Sequence, residues 1–325
     1  DLDKVRAFKD RVTDRLSDGL MRLAKQRGVQ VVQGRATFED SQTLRLQGAD
    51  LARVRFGHAI IATGSTETAL PGVSFQPGGR VMSSTGALDL ADVPDRLLVI
   101  GGGYVGLELG SVYAALGSRV TVVEMLPRLI AQADEDLARP LVRRIGEIFE
   151  AVHTNTKVAK LVEGDRDVEV TFDGPLEKTT ERFDRVLVAV GRRPNSRGLG
   201  LENTKVVADD RGFIRVDAHQ RTNDSRIFAI GDVVGGMMLA HKAMYEGKIA
   251  AEVISGQPAA FDAAAIPAVV YTDPSLAWAG LTELDAQAQG REVRVARFPW
   301  SASGRALTMD APEGMTKIVA DPESG

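Results

Sequence analysis

Between residues 97 and 123 the apolar positions change period twice. Leu97-Leu98-Val99-Ile100 is a continuous apolar run, the pattern of a strand buried on both faces. Val105, Leu109, Val112 and Leu116 then recur at spacings of 4, 3 and 4, which marks one face of a helix. Gly117 stops that helix, and Val120-Thr121-Val122-Val123 forms a second short strand closed by Glu124. The same reading predicts a helix through Val5, Phe8, Val12, Leu16, Leu20 and Leu23, ended by Gly28. Short strands follow at Val29–Gln33, Leu44–Gln47 and Val54–Phe56, and His58–Ser65 is a strand running into a Thr-Gly turn.

Asp134–Phe149 reads as a helix with acids early and bases late. Pro140 lies inside it at a cost of about 3 kcal/mol, so a kink or a start later than Asp134 is expected. Val168–Phe172, Phe183–Val190 and Phe213–Val216 are predicted strands. Ile227–Ile230 is another, and it delivers Gly231-Asp232 to its end. In an open α/β sheet ligands bind at such an end, although Asp232 is equally readable as a cap for the predicted helix Leu239–Ser255. The last section changes character: Val269–Thr272, Ala277–Gly280, Val293–Phe298 and Thr316–Ala320 are strand-like, and Thr282 caps a short helix ended by Gly290.

Gly101, Gly103 and Gly106 give G-x-G-x-x-G between the first strand and its helix. Gly101 suits a tight turn, Gly103 lets backbone approach a pyrophosphate, and Gly106 permits close helix–strand packing. The helix start turns N–H groups toward a phosphate. Glu124 lies 21 residues after Gly103, where a carboxylate can accept hydrogen bonds from a ribose. Six glycines within Leu97–Gly117, and its strand-type start, argue against a membrane span.

Composition narrows the chemistry. The 325 residues are 44% hydrophobic and 26% charged with net charge −4, which fits a soluble chain of two or three domains. There is no basic block, so nucleic acid is not an expected partner, and with no span and no signal pattern the expected location is cytoplasmic. No cysteine is present, which removes disulfides, thiolate metal sites and a thiol nucleophile from this stretch. His58, His153, His219 and His241 lack metal-ligand spacing, and no metal site is expected. The chain begins at Asp1, and Thr316–Ala320 reads as a strand awaiting a following hairpin partner, so both ends are expected to be cut.

The glycine run Gly101–Gly110, Val122-Val123-Glu124-Met125, Leu187–Asn195, Ile227–Asp232, Leu239–Ala243 and Phe298–Ala306 together resemble the bacterial dihydrolipoamide dehydrogenases of the flavin disulfide reductase family. The resemblance spans the chain. It implies an α/β fold: a Rossmann-like dinucleotide-binding domain, parts of a second, FAD-binding domain and a partial α+β dimerisation domain. The corresponding boundaries are 1–95 for the first FAD segment, 96–220 for NAD, 221–262 for the second FAD segment and 263–325 for dimerisation. By resemblance Gly101, Gly102, Gly103, Tyr104, Val105 and Gly106 hold the NAD pyrophosphate, and Glu108 is the acid near the nicotinamide. Glu124 binds ribose, Val158 contacts the adenine side, and Ala189, Val190, Gly191 and Arg192 are the strand end against NAD. Ala36, Thr63 and Gly64 resemble backbone contacts to FAD, Asp232 the carboxylate on its ribityl chain, and Ala240 and His241 a helix start facing the flavin.

The family's first glycine fingerprint, its redox cysteine pair and its C-terminal His–Glu pair have no counterpart here. The resemblance therefore implies a central fragment with no catalytic residue of its own, inactive alone and holding FAD weakly or not at all. Its parent would reoxidise dihydrolipoyl groups on the lipoyl domains of 2-oxoacid dehydrogenase or glycine cleavage complexes, as a homodimer using FAD and NAD. A mercuric reductase or soluble transhydrogenase relative, or a non-catalytic NAD-binding module, are the alternative readings.

Overall fold

A computed structural model describes residues 1–324. Backbone contacts separate two units, residues 1–66 with 192–263 and residues 67–191 with 264–325.

The second unit is built on five parallel strands. Their spatial order is Val81–Met82, Arg185–Val188, Arg96–Ile100, Arg119–Val123, Ala151–His153. Leu97, Leu98 and Val99 have no exposed surface, which accounts for the unbroken apolar run in the central strand. The helix Tyr104–Leu116 returns the chain to the next strand, and Gly117 ends it in the left-handed region at φ +113°. Its buried face differs from the one expected. Gly106, Leu107, Leu109, Gly110 and Tyr113 are buried, whereas Val112 is exposed. Leu109 is common to both faces and Val105 and Leu116 are half-buried, but two contact positions are glycines, so apolar periodicity alone set the face partly aside from the packed one. A Cβ on Gly110 would lie 2.8 Å from the Phe149 ring.

The expected strand Phe183–Val190 is two strands serving two sheets. Thr180–Phe183 pairs antiparallel with Val168–Asp173, which also pairs with Lys157–Glu163. Arg185–Val188 joins the parallel sheet. Asp184 makes the corner: its N–H donates to the Arg96 carbonyl at 3.0 Å and its carboxylate accepts from the Arg96 N–H at 2.8 Å. Phe172, Phe183, Val168 and Val170 close one core with Leu98, Ile100 and Val188. The helix expected around Pro140 runs Glu135–Ile148 and continues through the proline. The missing donor leaves the Asp136 carbonyl without its helical partner.

Residues 267–320 of this unit form two hairpins and two short helices, Glu283–Ala288 and Gly304–Thr308. Pro267–Val270 pairs with Leu276–Ala279, and Arg294–Pro299 with Met315–Ala320. Among the described residues the last strand pairs with the one before it in sequence. Helix Glu283–Ala288 has each of its first donors satisfied. Asp134 accepts from the N–H groups of Glu283 and Leu284 at 3.0 Å each, and Thr282 accepts from Asp285 at 3.0 Å in a capping box.

Beside that cap Lys317, 4% exposed at its side chain, meets Asp134 and Asp136 at 2.8 Å each and Glu283 at 2.6 Å. Arg297 completes the cage on Asp136 at 2.5 Å and Glu283 at 2.6 Å. Burial alone would raise the Asp136 carboxyl, but the Lys317 and Arg297 hydrogen bonds hold it down at about 2. Burial also opposes ionisation of Asp134 and Lys317; their mutual bonding wins, lowering the acid and raising the amine.

The first unit contains the antiparallel meander Arg35–Asp40, Thr43–Gln47, Arg53–Arg55 and the parallel pair Ala59–Ile61 with Ile227–Ala229. Phe38, Ile61, Ile214, Ile227, Ala229 and Val233 form its core. Helix Ala240–Ile254 packs Ile249, Ala250 and Val253 against Phe228. The predicted strand Val29–Gln33 is absent; Val29, Val31 and Val32 are exposed, and the strand begins at Arg35 instead. β-Branched residues there carry the propensity but meet no partner strand among the described residues. Phe213–Val216 makes only an isolated bridge, Ile214 with Ala208. The helix Leu2–Gln26 forms as expected, yet none of its residues is buried: Phe8, Leu16 and Leu20 are 62%, 66% and 69% exposed. No described helix is long and apolar enough to cross a membrane.

Candidate functional site

The glycine loop leaves the C-terminal end of strand Arg96–Ile100. Gly101 sits at φ +112°, and a Cβ there would lie 2.4 Å from the Ala189 carbonyl oxygen. A Cβ on Gly106 would lie 2.0 Å from the Gly101 oxygen, and one on Gly102 would lie 2.3 Å from the Leu129 side chain. These three positions are closed by the protein itself. Gly103 differs, because a Cβ there meets nothing within 4 Å. It is the helix N-cap, in extended geometry and with no side-chain capping bond. The opening lies at a helix N-terminus, where donors and dipole favour an anion, and so fits a dinucleotide pyrophosphate. Tyr104 and Val105 form the first turn of that helix.

Glu124 closes the loop from the neighbouring strand. Its carboxylate accepts from the N–H groups of Gly102 and Leu126, at 2.7 Å each. Each oxygen keeps a lone pair for a further donor, as ribose hydroxyls would supply. Behind it, Ile130 donates to the Gly102 carbonyl at 3.0 Å, and Leu129 and Ile130 are buried. Arg128 is committed to the carbonyls of Ala131 and Ala133, at 2.6 and 3.1 Å.

Ala189 lies against this loop, its N–H donating to the Ile100 carbonyl at 2.8 Å. Val190 is exposed, and Gly191 takes φ +125°. Glu108, one turn into the helix, accepts the N–H of Tyr271 at 2.7 Å. That contact reaches from residue 108 to the strand end at 271 and had no signature in sequence. Val158 sits in strand Lys157–Glu163 and packs against the core of the antiparallel sheet.

In the other unit two parallel strands end side by side, and the chemistry is at their ends. Ile230 donates to the Ile61 carbonyl at 3.0 Å, so the Thr63-Gly64-Ser65 turn and the Gly231-Asp232 turn become neighbours. Ser65 donates its hydroxyl to Asp232 at 2.5 Å. Arg192 donates to the Ser65 hydroxyl and carbonyl at 2.7 and 2.8 Å. Asn195 pins the other side: its Nδ2 donates to the Thr63 carbonyl at 3.0 Å and its backbone N–H to the Gly64 carbonyl at 3.0 Å. Thr63 and Thr66 donate their hydroxyls to Asn195 in return, at 2.8 and 2.6 Å.

Asp232 belongs to the turn Gly231–Val234 and does not cap the following helix, whose N-cap is Leu239. Leu239 offers no side-chain cap, and Ala240 and His241 are exposed at that helix start. An acceptor carboxylate beside an uncapped helix start suits a polyhydroxyl chain and an anionic ring edge, the features of FAD. Ala36 lies opposite Leu46 in the meander and takes no part in this network. Ser65 and Asn195 are not among the expected site residues, although Ser65 adjoins Gly64 and Asn195 ends the segment Leu187–Asn195. Among the described residues no group of His, Asp and Glu could hold a metal ion.

The pyridine nucleotide-disulphide oxidoreductase profile matches residues 2–247, and the dimerisation domain of the same family matches residues 266–325. A dihydrolipoyl dehydrogenase from Haemophilus influenzae is 45% identical over 326 aligned positions, covering 100% of this chain and 68% of that protein. One from Geobacillus stearothermophilus is 43% identical, over 100% and 69%. Among solved structures, LpdA from Mycobacterium tuberculosis superposes with a TM-score of 0.91 at 27% identity, over 100% of this chain and 72% of that one. The flavoprotein disulfide reductase RclA from Escherichia coli gives 0.87 at 28%, over 98% and 72%. The chain belongs to the pyridine nucleotide-disulphide oxidoreductases.

Proposed function

We propose that these residues form the NAD-binding part and much of the FAD-binding part of a dihydrolipoyl dehydrogenase, which reoxidises dihydrolipoyl groups and reduces NAD. The observation that carries this is the presence in one chain of two cofactor seats, an open Gly103 under an acid-closed loop and, in the other unit, an Asp232 held by Ser65, which Arg192 holds in turn. Bound FAD would relay two electrons between a dithiol and NAD. The chain's own residues have binding and orienting work. Gly101 to Gly106 shape the pyrophosphate seat, Glu124 takes the ribose, and Ala189 to Arg192 border the dinucleotide. Asp232 accepts from the ribityl hydroxyls, Thr63 and Gly64 lend backbone, and Ala240 and His241 face the ring edge. Glu108, fixed by the Tyr271 N–H, borders the nicotinamide.

The proposed division is 1–95 and 221–262 for FAD, 96–220 for NAD and 263–325 for dimerisation, in a cytoplasmic homodimer serving lipoyl domains. No cysteine occurs in the 325 residues, so this polypeptide by itself is expected not to reduce NAD with dihydrolipoamide. The deciding experiment replaces the matching 68% of the Haemophilus influenzae protein with residues 1–325. NADH formation from dihydrolipoamide is expected in this chimera. A chimera that binds FAD normally yet stays inactive would count against the assignment.

NAD is expected to bind more tightly than NADP. A 2′-phosphate would face Glu124, and like charges at about 4 Å repel by about 4 kcal/mol at an effective dielectric near 20. Solvent screening reduces this to about 1–3 kcal/mol. Arg128, the nearest sequence candidate to neutralise a phosphate, is already spent on two carbonyls. Calorimetric titration of both dinucleotides measures the difference, and equal affinities would remove Glu124 from the ribose site.

A further inference from the structure

Beneath the Asp232 turn lies an ion pair that cofactor contacts do not account for. Lys242 and Glu246 are one turn apart in helix Ala240–Ile254, with residue exposures of 7% and 4%. Lys242 Nζ lies 2.6 Å from Glu246 Oε1. The other oxygen, Oε2, accepts the buried N–H of Gly231 at 2.7 Å. Gly231 stands at φ +77°, a conformation that favours glycine, immediately before Asp232. Farther along the same loop, the Lys242 Cε lies 3.4 Å from where a Cβ on Gly236 would stand. The pair therefore bonds the loop at Gly231, and at the other end a side chain on Gly236 would come into contact with Lys242.

Stability alone is a weak reason for two buried charges. Their desolvation offsets most of their attraction, and apolar side chains of similar volume pack as well or better. The directional part of the arrangement is the hydrogen bond to Gly231. We propose that Glu246, clamped by Lys242, is a positioning residue that fixes the Gly231 turn and through it aims Asp232 at the flavin's ribityl chain. This rests on the reading of Asp232 given above. Asp232 is then held from two sides, by Ser65 at its carboxylate and by Glu246 through the preceding peptide.

Amide hydrogen exchange, read by mass spectrometry alongside thermal melting, tests the clamp without any cofactor. In the double variant Lys242→Met with Glu246→Leu, both charges go and the acceptor is lost. The amides of residues 231–235 are expected to exchange at least about tenfold faster while the rest of helix Ala240–Ile254 keeps its protection. In Lys242→Met with Glu246→Gln the acceptor returns without charge, and loop protection is expected to return with it. Unchanged loop exchange in the leucine variant overturns the proposal. So does equal acceleration along the whole helix, failure of the glutamine variant to restore protection, or unfolding of both variants, which would make the pair a stability element. A separate FAD titration of Asp232→Asn tests the underlying reading. At least tenfold weaker binding is expected, and unchanged affinity removes the flavin site while leaving the exchange result to judge the clamp.

Discussion

Gly103→Val is expected to weaken NAD binding by more than about a hundredfold, or ~2.7 kcal/mol, while circular dichroism stays that of the native chain. The two halves of that expectation come from different observations. A valine Cβ at residue 103 meets no protein atom within 4 Å, and the backbone there is extended at φ −80°, which a β-branched residue adopts readily. The fold therefore has room for it. That room is the space a pyrophosphate needs above the helix start, so the branched methyls exclude the ligand and not the protein. Gly106→Ala should fail in the opposite way. Its single added carbon would lie 2.0 Å from the Gly101 oxygen, and the strand–helix junction must open to admit it. Calorimetry for NAD and circular dichroism for the fold distinguish the two. Native NAD affinity in Gly103→Val would reduce the glycine run to a structural turn.

Lys317→Met is expected to cost about 3–5 kcal/mol of stability, a large part of the roughly 5–15 kcal/mol that holds a domain folded. The side chain is 4% exposed and faces Asp134, Asp136 and Glu283, so its removal leaves Asp136 and Glu283 with Arg297 and Asp134 with the backbone N–H groups of Glu283 and Leu284. Asp134 also caps helix Glu283–Ala288, so its repulsion would fray that helix as well. The pH dependence follows from the same cage. Asp134 and Asp136 have folded values below 3.8, so their contribution is complete above that pH and fades as the pH falls through the folded values, about 2 for Asp136. For Asp136 it amounts to roughly 2 kcal/mol. Lys317 is raised above 10.5, so its contribution is complete below that pH and is lost as the pH climbs through the folded value. Urea melts of the native chain should fall in stability below about pH 4, with a shallower acid limb in Lys317→Met. A cost under about 1 kcal/mol would mean the cage behaves as a solvated surface pair.

What sequence revealed, and what it concealed, divides by distance along the chain. The strand, glycine turn, helix, strand and acid from Leu97 to Glu124 are contiguous, and each is specified by local pattern. Asp232 was visible because an apolar strand delivered it. The clamps on these residues were invisible: Asn195 on Thr63, Tyr271 on Glu108 and Lys317 on Asp134 join positions that share nothing in sequence. Pattern also misled where one run served two structures, as at Phe183–Val190. It misled again where β-branched residues stood without a partner, as at Val29–Gln33, and where a packed helix face was made of Gly106 and Gly110.

The order of strands in the parallel sheet has a consequence for how the chain reaches this state. Arg185–Val188 lies between Val81–Met82 and Arg96–Ile100, yet it is synthesised after the whole antiparallel sheet. Until it emerges, the central strand that carries the glycine loop has a bare edge of Val and Leu. Such non-local pairings slow folding because the loop must close before any contact rewards it. The glycine loop therefore cannot be complete before residue 189 is made, because the Gly101 turn packs against the Ala189 carbonyl. A nascent chain halted before Arg185 would present that edge to other chains, and the late strand is its guard against aggregation.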